Sequence, residues 1–115
     1  MRKFVLAAAA AFVAAPLMAA DLATGDEIRA AVIGNTVSGG MADGSTYAEF
    51  YDADGAIKAD GYTGEWSIVG DEMCFDYGEG PGCWGLMIDG EMVTWMNDGE
   101  AEGTGTIAAG NINNF

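Results

Sequence analysis

The stretch Met73 to Gly85, which reads M-C-F-D-Y-G-E-G-P-G-C-W-G, decides the fold of this chain. It contains both cysteines of the sequence, Cys74 and Cys83, on either side of a turn rich in glycine and proline. In a hairpin these cysteines would lie opposite each other, and a bond between them would fix the register of the two strands. Because side chains alternate along a strand, the prediction places the disulfide on the outer face and Phe75 and Trp84 in the core.

The alternation of apolar and polar residues extends from this hairpin in both directions. Turn signals, most of them containing aspartate and glycine, separate runs of about six residues. The strands predicted from these runs cover residues 36–41, 46–51, 56–61, 64–69, 72–77, 83–88, 91–96 and 101–107. Short strands at this regular spacing indicate an all-β domain.

Residues paired across each predicted turn match apolar with apolar on one face, as a sheet with one buried side requires. On the second strand, this pairing puts Phe50 in the core opposite Val37 and Ile57, with Glu49 outside opposite Lys58. The full inward set is predicted to be Val37, Gly39, Met41, Ala48, Phe50, Ile57, Ala59, Trp66, Ile68, Met73, Phe75, Tyr77, Trp84, Leu86, Val93, Trp95, Ala101, Gly103, Gly105 and Ile107.

The architecture predicted from this pattern is a small antiparallel up-and-down β-barrel of about eight short strands with one short N-terminal helix. Small residues on the first and last strands indicate where the barrel closes. Thr24 and Glu27 form a capping-box pattern, and Ile28 and Val32 give the following helix one apolar face. A flat two-sheet sandwich is the alternative fold.

Residues 1–20 have the layout of a secretory signal peptide. Two basic residues precede the apolar run 4–13, and small residues end at Ala20. An N-terminal membrane anchor is the alternative, but spanning a bilayer takes about 20 apolar residues. The prediction is a periplasmic or secreted protein with a single domain over residues 21–115. An oxidising compartment is also where a disulfide persists.

The charge of the chain is strongly negative, with 18 acidic and 4 basic residues and a net charge of −14. Cleavage of the signal peptide would leave Arg29 and Lys58 as the basic residues. Such a surface repels nucleic acid and anionic lipid, so neither a nucleic-acid partner nor membrane insertion is expected. It favours a cationic protein, metal cations, or solubility at high salt. The sequence leaves the oligomeric state open.

Two candidate sites follow from the outward positions. The predicted register lines up Asp60, Glu65 and Asp76 on adjacent strands, which suggests a site for a cation or a basic partner. The competing interpretation is a solvated acidic face, and no metal is assigned. A second candidate is a partner-facing patch of Met87, Met92 and Met96, whose thioethers are the alternative ligands for Cu(I).

Catalysis has few residue types to use, because the chain contains no histidine. A histidine-based triad and a zinc–histidine site are therefore excluded, and neither an enzyme nor a cofactor is expected. The predicted inward face carries no charge except Glu91 at a strand end. A cavity in this barrel would therefore take an apolar ligand, although a core filled by side chains is the favoured expectation.

Several short motifs resemble known proteins. The runs T-G-D-E-I-R-A-A-V-I-G-N-T-V-S-G, A-D-G-S-T-Y and Y-T-G-E-W-S-I-V-G-D-E-M-C-F, with the later C-W, resemble small exported proteins of alphaproteobacteria grouped as a domain of unknown function. Gly64-Glu65-Trp66 is similar to the G-x-W element of lipocalin-like barrels. The resemblance implies a periplasmic β-barrel and transfers no catalytic residue.

The function expected from the sequence is a periplasmic or secreted binding module that recognises a cationic protein, in the manner of a lysozyme inhibitor. The alternative is a lipocalin-like carrier of an apolar small molecule. An enzyme is the third class and the least favoured.

Overall fold

A computed structural model of the protein describes residues 22–115, and it shows a closed barrel of eight antiparallel strands with one short helix. Neighbours in the chain are neighbours in the barrel, so the predicted up-and-down barrel is confirmed over the sandwich. The elements are α1 Gly25–Val32, β1 Asn35–Met41, β2 Thr46–Tyr51, β3 Ala56–Ala59, β4 Tyr62–Val69, β5 Glu72–Asp76, β6 Pro81–Asp89, β7 Met92–Asn97 and β8 Glu100–Ala109. The predicted signal peptide lies outside the described residues. Over residues 22–115, no helix has the length and hydrophobicity to cross a membrane.

Helix α1 closes one end of the barrel. Its N-terminus carries the predicted capping box, in which the Thr24 hydroxyl accepts the Glu27 N–H and the Glu27 carboxylate accepts the Thr24 N–H. Ile28 and Val32 are fully buried in the core. The Gly25 N–H donates to the Asp71 carboxylate at 2.7 Å, which fastens the helix to the turn between β4 and β5.

Strand direction alternates around the barrel, so the turns also alternate between its two ends. The end that carries α1 is called the closed end here. The opposite end, called the open end, is formed by the turns at 42–45, 60–61, 77–80 and 98–99. Each of these four turns contains one acidic residue, and these residues are Asp43, Asp60, Glu79 and Asp98.

The predicted register is confirmed in the two hairpins around β5. Trp66 lies opposite Phe75 across β4 and β5, and Cys74 lies opposite Cys83 across β5 and β6. Both pairings are predicted correctly because the sequence gives the correct centres of the two turns. The disulfide therefore sits where the opening stretch places it.

The predicted face of β2 is wrong. Toward β1, Val37 lies opposite Glu49 instead of Phe50. Toward β3, Ile57 lies opposite Tyr51 instead of Phe50, and Phe50 lies opposite Lys58. The core on this strand is therefore formed by Tyr47, Glu49 and Tyr51, and the predicted inward residues Ala48 and Phe50 turn outward.

The cause is the length of the two loops that flank β2. Each loop contains three residues with the sequence Ala-Asp-Gly, at 42–44 and at 53–55, where the prediction assumed two-residue turns. The glycine of each loop has a positive φ, 94° at Gly44 and 101° at Gly55. This is the three-residue hairpin that ends in a left-handed residue. One extra loop residue on each side shifts the strand by one position, so its two faces are exchanged.

The other register errors leave most faces unchanged. Leu86, not Trp84, lies opposite Trp95, and Ala59 lies opposite Tyr62 instead of Trp66. These shifts are even numbers of residues, which preserve the side of the sheet. Ala101 is the exception. An irregularity between Trp95 and Met96 brings it opposite Met96, and it is exposed.

The barrel closes between β1 and β8, where the sequence concentrates small residues. Gly39 lies opposite Gly105 across this seam. A Cβ atom at Gly39 would collide with the Thr104 carbonyl oxygen and lie 2.7 Å from the Cα of Gly105. The close approach of these two backbones therefore requires glycine.

The disulfide between Cys74 and Cys83 is present. It lies on the predicted outer side of its strands, because the flanking residues Met73 and Phe75 are buried in the core. The side chain of Cys74 is nevertheless only 3% exposed. Cys83 is half-buried, so the crosslink lies on the outer face but is largely covered.

Reduction of this disulfide is expected to lower the free energy of unfolding by about 2–3 kcal/mol while the barrel persists, because a loop of about ten residues is released in the unfolded chain. Urea unfolding with and without a reductant measures the difference. The Cys74→Ala, Cys83→Ala double variant is the control, since the reductant should have no effect on it. Loss of the folded barrel on reduction alone would contradict this prediction.

Candidate ligand-binding pocket

The open end of the barrel contains a pocket of about 470 Å³. The core at this end is therefore not filled by side chains, contrary to the sequence-based expectation. We call this site the aromatic pocket, and its lining residues are Met41, Ser45, Thr46, Tyr47, Glu49, Tyr51, Tyr62, Thr63, Phe75, Tyr77, Trp84 and Trp95.

Glu49 is the charged residue in the wall of this pocket, and it is only 5% exposed. Its carboxylate accepts hydrogen bonds from three tyrosine hydroxyls. Tyr51 donates to Oε1 at 2.7 Å and Tyr62 donates to Oε2 at 2.6 Å. Tyr77 is shared between the two oxygens at 3.1 and 2.9 Å. These donors compensate the carboxylate for the loss of water.

The same arrangement keeps the three tyrosines protonated. Burial raises the pKa of Tyr51 well above its ordinary value, and the charge of Glu49 adds to the effect. Burial and the hydrogen bond to Glu49 likewise raise the pKa of Tyr62. For Tyr77, burial acts first and the Glu49 charge second, and both raise the pKa. The hydroxyls therefore remain donors across the physiological pH range.

Phe75 is the centre of the aromatic wall. Its ring stacks on Tyr77 with centroids 6.4 Å apart, and it makes edge contacts with Trp84 at 5.6 Å and Trp95 at 5.4 Å. The Trp95 Nε1–H donates to the Tyr47 hydroxyl at 2.8 Å. These contacts hold the rings in place and make the pocket preformed.

The G-x-W element connects the pocket to the closed end. A Cβ at Gly64 would lie 2.8 Å from the Tyr77 ring, so glycine gives this ring its place in the wall. Two residues on, Trp66 donates its Nε1–H to the Asp52 carbonyl at 2.7 Å. The Arg29 guanidinium from α1 lies over the Trp66 ring, 5.7 Å from its centroid.

The predicted row of three acids is not formed. Glu65 and Asp76 lie opposite each other as expected, but Asp60 is in the β3–β4 turn and Glu65 faces Ala56 on that side. Asp76 has a structural role, since its carboxylate accepts the Gly78 N–H at 2.8 Å. Among the described residues, no group of three potential ligand side chains is arranged to hold a metal ion.

The predicted methionine patch is divided along the barrel: Met87 and Met92 lie toward the closed end, and Met96 lies in the part of β7 that leads into the open-end turn. Met87 and Met92 line a second groove, which lies between β6, β7 and α1 with the segment that leads into it. Met96 lies opposite Gly85, and the Leu22 side chain packs over this glycine. The three methionines therefore lie on the outer surface, away from the aromatic pocket.

Sequence reasoning missed four site residues, which are Tyr47, Glu49, Tyr51 and Tyr62. The run T-Y-A-E-F-Y in β2 places an aromatic residue in both alternation phases, so hydrophobicity alone does not choose the face. The two identical Ala-Asp-Gly loops on either side of β2 contain the signal that was available. Read as three-residue hairpins, they would have turned Glu49 inward.

Comparisons of the chain with protein-family models, with curated proteins and with solved structures found no match. The resemblance to exported alphaproteobacterial proteins therefore stays a prediction. What can be inferred about function comes from the pocket itself.

The four tyrosines of the chain are expected not to ionise before the barrel unfolds at high pH. Tyr47 also has a raised pKa because of its burial. Folding raises the pKa of these tyrosines above the value of about 10 that they have in the unfolded chain. The unfolded chain therefore loses its tyrosine protons first, and the free energy of unfolding falls as the pH rises above about 10. The fully buried Tyr51 alone contributes a loss of about 1.4 kcal/mol per pH unit.

The measurement is the tyrosinate absorbance followed together with circular dichroism during alkaline titration. Both signals should change together, above the pH at which the urea-unfolded chain titrates. A rise in tyrosinate absorbance near pH ~10 while the circular dichroism stays native would contradict the assignment.

Proposed function

We propose that this protein is a binding protein that holds a small, largely apolar molecule in its aromatic pocket. The observation that carries the proposal is a pocket of about 470 Å³ at one end of a barrel whose other end is closed by α1. Small-molecule sites have this character: concave, mostly apolar, preformed, and with a few polar groups. The volume is within the usual range of about 300–1,000 Å³.

Binding fits the pocket better than catalysis does. The carboxylate of Glu49 lies in the wall, and its oxygens already accept hydrogen bonds from three tyrosine hydroxyls. Among the residues that the structure describes, no histidine, free cysteine or second acid lines the pocket beside it. We therefore propose a carrier or sensor of a small molecule and not an enzyme. The disulfide is consistent with a protein that functions in the periplasm or outside the cell, where disulfides persist.

An uncharged fluorescent probe such as N-phenyl-1-naphthylamine is expected to bind the pocket and quench tryptophan fluorescence, because Trp84 and Trp95 line it. Met41→Trp should weaken probe binding, since it adds bulk to the pocket wall near the open end. Fluorescence titration of both proteins measures the change.

The matched control is Val69→Trp, which adds the same bulk on the exposed outer surface at the closed end. This variant should bind the probe as the wild type does. Absence of probe binding, or equal binding by the Met41→Trp variant, would refute the pocket as a small-molecule site.

A basic protein is a second candidate partner, in keeping with the lysozyme-inhibitor hypothesis. The observation that favours it is the acidic residue in each of the four turns at the open end. Neither Arg29 nor Lys58 belongs to these turns, since Arg29 is in α1 and Lys58 pairs with Asp52 near the closed end. Such a one-signed surface attracts a cationic partner.

Hen lysozyme is the probe for this second role. It should bind at low salt and dissociate as salt rises. The triple variant Asp60→Asn, Glu79→Gln, Asp98→Asn should bind more weakly than the control Glu72→Gln, Asp89→Asn, Glu91→Gln. The control removes the same charge from the other end. Equal weakening by both triple variants would mean that net charge alone, and no particular surface, attracts the protein.

A further inference from the structure

We propose that the aromatic pocket selects organic cations: small molecules that join a substituted ammonium group to an apolar body. This inference rests on the proposed small-molecule function and names the chemical class of the ligand.

The first observation is a negative charge that has no positive partner within residues 22–115. Both oxygens of Glu49 accept hydrogen bonds from tyrosine hydroxyls, which is the pattern of a carboxylate. The hydroxyls satisfy the lone pairs, but they carry no positive charge. A buried charge that is hydrogen-bonded and not neutralised still attracts an ion of opposite sign, and the attraction is stronger away from bulk water.

The second observation is the aromatic wall around that charge. The rings of Tyr62 and Tyr77 stand at 69° to each other with centroids 5.9 Å apart, and Phe75 and Trp84 continue the wall. The face of each ring carries partial negative charge, which attracts a cation within about 6 Å of the centroid. Tyr62 and Tyr77 are 43% and 48% exposed, so an entering ligand meets them directly.

The third observation is that the basic residues of the barrel are engaged elsewhere. Arg29 lies over Trp66 at the closed end, and Lys58 forms an ion pair with Asp52 at 2.9 Å. Neither of them lines the pocket. An organic cation would therefore have no basic side chain of residues 22–115 to displace from Glu49.

The fourth observation is the charge at the entrance. Asp43, Asp60, Glu79 and Asp98 lie one in each turn of the open end, and all four are exposed. A ring of one sign raises the local concentration of cations and repels anions. The entrance and the interior therefore favour the same charge on the ligand.

The test compares three ligands of nearly equal size and different charge. Phenyltrimethylammonium is the cation, tert-butylbenzene is its uncharged carbon isostere, and benzenesulfonate is the anion. Tryptophan fluorescence titration of the full chain should give an affinity for the cation at least about tenfold above that for the isostere. The anion should bind most weakly.

The decisive variant is Glu49→Gln, which keeps the shape of the side chain and removes its charge. It should reduce the affinity for the cation about tenfold or more and leave the affinity for tert-butylbenzene within about twofold. Glu65→Gln is the matched control, because it removes one charge from the outer face of the same barrel and should leave both affinities unchanged.

A second pair of variants applies if the Glu49→Gln barrel does not fold. Tyr77→Leu and Tyr77→Phe both remove the hydroxyl, but only phenylalanine keeps a ring. Tyr77→Leu should therefore lose more affinity for the cation than Tyr77→Phe does, and this difference should be smaller for tert-butylbenzene. Equal losses for both ligands would mean that the ring acts only as apolar surface and would overturn the proposal.

The outcomes separate the two proposals. If the naphthylamine probe binds the wild type but the cation is not preferred to its isostere, the cation inference is wrong and the small-molecule function stands. If no probe or ligand binds, both are wrong. If the cation binds but Met41→Trp leaves its affinity unchanged, the cation is held by surface acids, and the inference for the pocket is overturned.

Discussion

The contact between Glu49 and three tyrosine hydroxyls is the interaction on which the open end of the barrel depends. A carboxylate that is 5% exposed is stable there only because Tyr51, Tyr62 and Tyr77 supply hydrogen bonds in place of water. These tyrosines come from β2, β4 and the turn after β5, so one buried charge ties three parts of the barrel together. The same contact fixes the rings that form the pocket wall.

The two ends of the barrel differ in how the interior is separated from solvent. At the closed end, α1 covers the core with Ile28 and Val32, and Arg29 lies over the Trp66 ring. At the open end, no element of residues 22–115 covers the interior, and aromatic rings with polar edges line it instead. Tyrosine suits this position because its ring packs on Phe75 while its hydroxyl meets a polar partner. A filled core at one end and a pocket at the other follow from this division.

The fold was predictable from the sequence because its signals are local and agree with one another. The capping box at Thr24, the period of two after Thr36, and the cysteine pair around a short turn identify the helix, the strands and one register. The pocket was not predictable in the same way. It depends on the face of β2, where T-Y-A-E-F-Y offers an aromatic residue in either phase. A single extra loop residue on each side decided between them.

The sequence by itself determined a strongly acidic, all-β chain with one helix, eight strands and a disulfide in known register. Strand period, turn chemistry and cysteine spacing are properties of neighbouring residues, so they can be recognised without knowledge of distant contacts. Tertiary structure alone decided that the hydroxyls of Tyr62 and Tyr77 meet the carboxylate of Glu49. That meeting joins residues 13 and 28 positions apart, and only closure of the barrel brings them together.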